Sequence, residues 1–228
     1  MGNWKHDKRN GKGTMFSNMY KFIGVYKDDQ KLEGELTNFD GSKYVGKFKN
    51  GEYHGIGEFT FGSGKIISGL FQKGEMPRSG KIIFTNGDEY EGMIFDEDIG
   101  KEGTLKYSNG DVYKGMFIST FKHGFGIMTY SNGSKYEGKW HSGKKHGFGK
   151  EYNIENEEVY EGMFSNDKKE GKGRIINSKG EVYEGKWYGN KRIGPNKPSS
   201  TVSVSEYKQI VAKILKVKSV LEPDVKII

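Results

Sequence analysis

A short unit returns nine times along this chain at spacings of 22 to 24 residues, and that period constrains the fold more than any other feature. The clearest copies begin at Tyr90-Glu91-Gly92, Tyr113-Lys114-Gly115, Tyr136-Glu137-Gly138, Tyr160-Glu161-Gly162 and Tyr183-Glu184-Gly185. Weaker copies stand at Phe22-Ile23-Gly24, Tyr44-Val45-Gly46 and Ile67-Ser68-Gly69. Gly2 also falls in phase, with Trp4 where Trp140 and Trp187 stand later, so the first copy is cut short. A fixed period of this size marks an array in which each unit packs only on its neighbours. Catalysis needs one unique constellation of groups. A chain that repeats the same residues from end to end reads as a scaffold and not as an enzyme.

Each unit reads as two short antiparallel strands. In the copy that starts at Lys135, residues Tyr136, Gly138 and Trp140 alternate and therefore share one strand face. A polar turn through Gly143 leads to Gly147-Phe148-Gly149, which opens a second extended segment ending near Tyr152. Asn132-Gly133 and its equivalents Asp40-Gly41, Ser63-Gly64, Asn86-Gly87, Asn109-Gly110 and Lys179-Gly180 are strong hairpin signals. Glycine weakens a strand interior unless something must come close. The rings of one strand are therefore expected to lie over the glycines of its neighbour. A lone hairpin is marginal in water. The units should then join edge to edge into an all-β repeat, an elongated single-layer twisted antiparallel sheet of about eight hairpins.

Composition agrees with a thin, aromatic core. Hydrophobic residues make up only 33% of the chain, while it holds 35 Gly, 14 Tyr, 14 Phe and 3 Trp. The absence of Cys excludes disulfides, thiolate metal sites and thiol catalysis, and favours a reducing compartment such as the cytoplasm. No apolar run approaches the length of a spanning helix.

The run Tyr136-Glu137-Gly138-Lys139-Trp140 followed by His146-Gly147-Phe148-Gly149 resembles the MORN repeat (membrane occupation and recognition nexus). The resemblance covers residues 1–196 and implies the same elongated sheet. It further implies a scaffold associated with membrane, cytoskeleton or cilium, or a regulatory array of the kind fused to lipid kinases and a methyltransferase. No such enzyme segment accompanies the array. Several units depart from the pattern: Glu75-Met76-Pro77-Arg78-Ser79-Gly80 and the acidic stretch Asp96–Gly103 each keep one glycine of the pair.

Candidate chemistry meets the same periodicity. The Gly-x-Gly pairs lack the strand–helix context and the lysine of a phosphate loop. His54, His123 and His146 occupy one repeat position, so they are expected in a row too widely spaced to ligate a metal. Glu91, Glu137, Glu161 and Glu184 recur as a stripe expected to face solvent. No cofactor or metal is expected.

Two surfaces remain as candidates. One is a groove on the ring face, formed by Tyr90, Tyr113, Tyr136, Trp140, Tyr160, Tyr183 and Trp187, although most of these rings should be structural. The other is a basic edge of equivalent turn positions, Lys122, Lys144, Lys145, Lys168, Lys169, Lys191 and Arg192. The leading reading is a non-catalytic scaffold that holds a helical or cytoskeletal protein in the groove and on the edge. The alternative is a targeting or regulatory module of an enzyme complex recruited by anionic phospholipid. Nucleic acid is not expected, because the basic turns are interleaved with acids and no nucleic-acid module is present.

After the array, residues 197–203 read as a linker and 204–221 as an amphipathic helix, with 222–228 as a tail. Ser203 and Glu206 form a capping box. The helix is expected to fold back on the last hairpins and cap their open edge. The uncapped N-terminal edge is then the expected site of a homodimer.

Overall fold

The computed structural model describes residues 2–216 of the chain. They fall into two compact units divided between Gly100 and Lys101. The first unit contains β1 (Gly2–Lys5), β2 (Lys8–Phe16), β3 (Tyr20–Lys27), β4 (Gln30–Asn38), β5 (Lys43–Lys49), β6 (Glu52–Thr60), β7 (Ile66–Phe71), β8 (Ser79–Ile83) and β9 (Glu89–Phe95). Each strand pairs antiparallel with the next. The second unit contains most of β10 (Asp98–Lys106), then β11 (Val112–Ile118), β12 (Phe121–Thr129), β13 (Lys135–His141), β14 (Lys144–Asn153) and β15 (Glu158–Ser165). It continues through β16 (Lys168–Ile176), β17 (Glu181–Tyr188), β18 (Lys191–Ile193), β19 (Ser200–Thr201) and the helix α1 (Val204–Lys216). Consecutive strands from β10 to β18 again pair antiparallel. The expected all-β repeat with one helix is what the chain forms.

Two turn types alternate. Between the strands of one hairpin, pairs such as Asp28-Asp29 and Asn166-Asp167 both adopt positive φ, the conformation whose twist matches paired strands. Between hairpins, the Asn-Gly turns are closed by their own side chains. Asn109 Oδ1 accepts the Asp111 N–H at 2.9 Å and Asn132 Oδ1 accepts the Ser134 N–H at 2.9 Å.

One face of each sheet carries the rings. In β13 and β14, Gly138 faces Gly149 and Trp140 faces Lys145, so β14 spends four residues where β13 spends two. This bulge passes through left-handed Gly147, at φ +66. It also offers the Lys139 carbonyl to the Tyr136 hydroxyl at 2.9 Å. The tyrosine ring then lies flat over the paired glycines. A Cβ on Gly149 or on Gly138 would stand 2.6 Å from the Tyr136 hydroxyl oxygen. Tyr44, Tyr90, Tyr113 and Tyr160 make the same bond to the carbonyl three residues on. The rings also meet edge to face from unit to unit: Tyr113–Trp140 at 5.4 Å, Tyr136–Phe164 at 5.1 Å and Tyr160–Trp187 at 5.2 Å. Each such contact contributes about 0.5–1.5 kcal/mol beyond area burial. The rings therefore overlie the glycines as the repeat pattern requires.

The opposite, or reverse, face of the second unit receives α1. Tyr207 and Ile214 of α1 pack on Tyr152, Val159, Ile176 and Val182, with Ile210 and Val211 beside them. The Tyr207 hydroxyl donates to the Glu157 carbonyl at 2.7 Å. The capping box forms as expected, with the Ser203 N–H donating to Glu206 Oε2 at 2.8 Å and the Glu206 N–H to Ser203 Oγ at 3.1 Å.

Two expectations about this region need correcting. The β17 edge is covered by β18 and β19, while α1 lies on the sheet face. Strand pairing satisfies the open backbone groups of an edge, which a helix laid on a face cannot do. The segment 197–203 is also held as more than a linker. The Ser199 N–H donates to the Val182 carbonyl and the Val202 N–H to the Gly180 carbonyl, both at 2.8 Å. The expected helical residues 217–221 and the tail 222–228 lie outside the described residues.

Candidate functional site

The ring-face groove expected from the sequence is closed by its own packing. Tyr90, Tyr113 and Tyr136 are 0% exposed, and Tyr160, Trp140 and Trp187 are buried with them. Tyr183 is half-buried, its hydroxyl donating to Glu181 Oε2 at 3.1 Å. Burial pushes the Tyr113 and Tyr136 phenols well above their ordinary value, and that of Tyr160 up to about 12. The six buried rings are the core and offer no free face to a partner.

The basic edge divides in two. Lys144, Lys168 and Lys191 are exposed at the hairpin tips. Lys169 and Arg192, which follow two of these tips, and Lys122, which follows Phe121, turn inward over the rings: Lys122 stands 4.3 Å from the Trp140 ring, Lys169 4.8 Å from Tyr160 and Arg192 5.2 Å from Tyr183. Lys145 is paired with Glu151, and Lys169 reaches the same carboxylate at 3.3 Å. Burial works to raise the Glu151 pKa, but Lys145 and then Lys169 outweigh it and hold the carboxyl below its ordinary range. Burial lowers the Lys122 pKa, with Lys145 adding repulsion. Alternation places Lys122, Lys145, Lys169 and Arg192 on the ring side, a signal legible in the repeat but overridden by their place beside the turns.

Two other placements differ from expectation. His141 stands between the equivalent histidines His123 and His146, with ring centroids 4.9 and 5.7 Å apart. The row is thus closer than the repeat spacing alone gives, because a residue from another repeat position enters it. Among the described residues no group of His, Asp or Glu is arranged to hold a metal ion. Glu161, expected in a solvated stripe, is largely enclosed between Lys150 at 3.1 Å and Arg174 at 2.6 Å.

The open surface is the reverse face. One row of side chains crosses the second unit next to the bulges. Phe125 faces Lys139, Phe148 faces Met163, Lys172 faces Lys186 and Lys186 faces Ile193. Phe125, Phe148 and Met163 are 48%, 53% and 42% exposed. Met116, Lys139 and Met163 lie against Gly124, Gly147 and Gly171, so the left-handed glycines make room for this row as well. At its end a depression of about 660 Å³ is lined by Phe148, Lys172, Lys186 and Ile193, among others. In the first unit the corresponding row runs through Val25, Glu33, Lys47, Ile56 and Leu70. A depression of about 800 Å³ lies over part of it. Sequence reading missed this face because its residues vary from copy to copy while the ring positions repeat.

These features define an array of glycine-pinned hairpins with a sealed aromatic face. The family model of the MORN repeat matches residues 1–18, 44–66, 113–135, 136–153 and 160–182, and the chain is a MORN-repeat protein. No curated protein matches it significantly. Among solved structures it is similar to the TCP domain of Drosophila melanogaster SAS-4 (dCPAP) in complex with a proline-rich motif of Ana2. There the identity is 14%, the coverage 67% of this chain and 77% of that one, and the TM-score 0.39. It is also similar to the TCP10 domain of Danio rerio CPAP in complex with a peptide of Danio rerio STIL. That match has 11% identity, covers 82% of this chain and 99% of that one, and has a TM-score of 0.40. At such scores the likeness carries no argument about function. No helix among the described residues is long and apolar enough to cross a membrane.

Proposed function

We propose that the chain is a non-catalytic scaffold that holds a helical protein partner, and that the partner sits on the reverse face. The observation that carries this reading is the contrast between the faces. The ring face is filled by its own side chains, whereas the reverse face leaves Phe125, Phe148, Met163, Ile56 and Leu70 in solvent in contiguous rows. Exposed apolar rows of this kind mark interaction sites more often than they occur by chance. The test replaces Phe148 with a photo-crosslinking phenylalanine in the native cell, with Phe39 in an exposed turn as control. Protein adducts from position 148 and none from position 39 are expected. Adducts with lipid alone, or none, contradict the reading.

A second reading, recruitment of an enzyme complex to anionic phospholipid, is supported by the exposed tips Lys144, Lys168 and Lys191. Each such cation near an anionic surface contributes about 1 kcal/mol. Charge reversal of the three should then abolish sedimentation with phosphatidylserine vesicles at low salt. Sedimentation that survives the reversal contradicts it.

A further inference from the structure

The reverse face of the second unit carries a charge imbalance. In the row beside it, acids and bases alternate and neutralise one another: Glu137 faces Lys150, and Glu161 lies between Lys150 and Arg174. In the exposed row, Lys139, Lys172 and Lys186 have no ion-pair partner among the described residues. Lys172 and Lys186 stand directly opposite each other across β16 and β17, an arrangement that destabilises a sheet unless a counter-charge joins it. The apolar members Phe125, Phe148 and Met163 are interleaved with these cations, one side chain per strand.

The molecule itself shows what lies well on this face. Helix α1 rests on the same face on the far side of that charged row, its residues Tyr207 and Ile214 reaching Tyr152, Val159, Ile176 and Val182 on four successive strands. Strands are spaced about 4.8 Å apart and a helix advances about 5.4 Å per turn, so a helix crossing the strands presents one contact residue to each. From β11 to β18 the row spans about 34 Å, which about 22 residues of helix would cover.

We propose that the row containing Phe125, Lys139, Phe148, Met163, Lys172 and Lys186 is the docking track of an acidic amphipathic helix from a partner protein. Apolar positions of that helix sit over Phe125, Phe148 and Met163, and its carboxylates over Lys139 and between Lys172 and Lys186. This rests on the reading that the reverse face holds a protein partner, and it commits that partner to a charge and a secondary structure.

The probe is a synthetic amphipathic helix of Leu, Ala and Glu, about 22 residues long, measured by fluorescence anisotropy against the full chain. A twin peptide carries Lys in place of each Glu. The acidic peptide should bind and the basic twin should not. The exposed-residue variant K139E/K172E/K186E should weaken the acidic peptide by about tenfold or more and admit the basic twin. Far-ultraviolet circular dichroism and the unfolding midpoint show that the variant is folded. F148S alone should weaken the acidic peptide without admitting the twin. Equal binding of both peptides, no binding of the acidic one, or displacement of it by phosphatidylserine vesicles would each overturn the proposal. If position 148 crosslinks in the cell to a basic or extended protein segment, the acidic helix is wrong while the scaffold reading stands. If it crosslinks to no protein, both are wrong.

Discussion

In the second unit the leading ring position is Tyr113, Tyr136, Tyr160 and Tyr183, and the first three are bonded through the hydroxyl to a bulge carbonyl. In the first unit the same position is Phe22, Tyr44, Ile67 and Tyr90, all fully buried, and only Tyr44 and Tyr90 make that bond. Phe22 covers Gly34 as a tyrosine would, its Cζ 2.9 Å from where a Cβ would stand. Over Gly69, where Ile67 is too short, Pro77 takes over, its side chain 2.7 Å from that point. The comparison separates two requirements that the regular copies merge. Something bulky must cover the paired glycines in every unit, whereas the hydroxyl bond is an addition that several units lack.

The units differ again at the position facing these rings. Leu36, Phe59 and Ile82 face them in the first unit, and Leu105, Met128 and Ile175 in the second. At Glu151 alone among these positions a carboxylate faces Tyr136 and Tyr160. It is tolerated because Lys145 and Lys169 fold over it. A buried charge is costly unless it is paired and hydrogen-bonded.

The strongest way to break this comparison is to remove a cover. Tyr136→Ala empties a fully buried site and should cost about 3–5 kcal/mol, read from urea unfolding. Next comes the buried ion cluster. Lys145→Met leaves Glu151 with Lys169 alone and should cost about 2–4 kcal/mol near neutral pH. Because the folded-state pKa of Glu151 is lowered, its contribution is fully present above the ordinary value of 4.5 and is lost as pH falls through the depressed value. Glu151→Gln should therefore flatten stability against pH below about 4.5 relative to the parent chain. Gly138→Ala forces a methyl against the Gly149 backbone and the Tyr136 ring and should cost about 1–3 kcal/mol. The smallest effects sharpen the hydroxyl's share: Tyr136→Phe should cost about 1 kcal/mol, and Phe22→Tyr should gain about as much by reaching the Val25 carbonyl. A gain of nothing from Phe22→Tyr would mean that the Phe22 hairpin lacks the bulge geometry and not merely the hydroxyl.

The hairpins, their turns and the rings over glycines were legible because they follow from period-two alternation and from glycine's lack of a side chain. The same logic misled at the rings' surroundings. Alternation says that Tyr136 and Trp140 share a face, but not that neighbouring units and the inward lysines seal it. Lys122 and Lys145 look like turn residues by composition, and only the register places them over the rings. The reverse face was illegible for the opposite reason: Phe125, Lys139, Phe148 and Met163 come from separate strands and form a row only once the bulged register is known. Glu151 stood among apolar equivalents, and that break in the pattern could have been noticed.

Hydroxyl-radical footprinting of the intact protein, read residue by residue by mass spectrometry, tests most directly the claim that one face is sealed and the other open. Phe125, Phe148, Met116 and Met163 should be oxidised rapidly, while Tyr113, Tyr136, Trp140, Tyr160 and Trp187 should be protected until the chain unfolds. Comparable oxidation of both sets in the folded protein, or protection of the Phe148 row with labelling of the rings, would contradict the account.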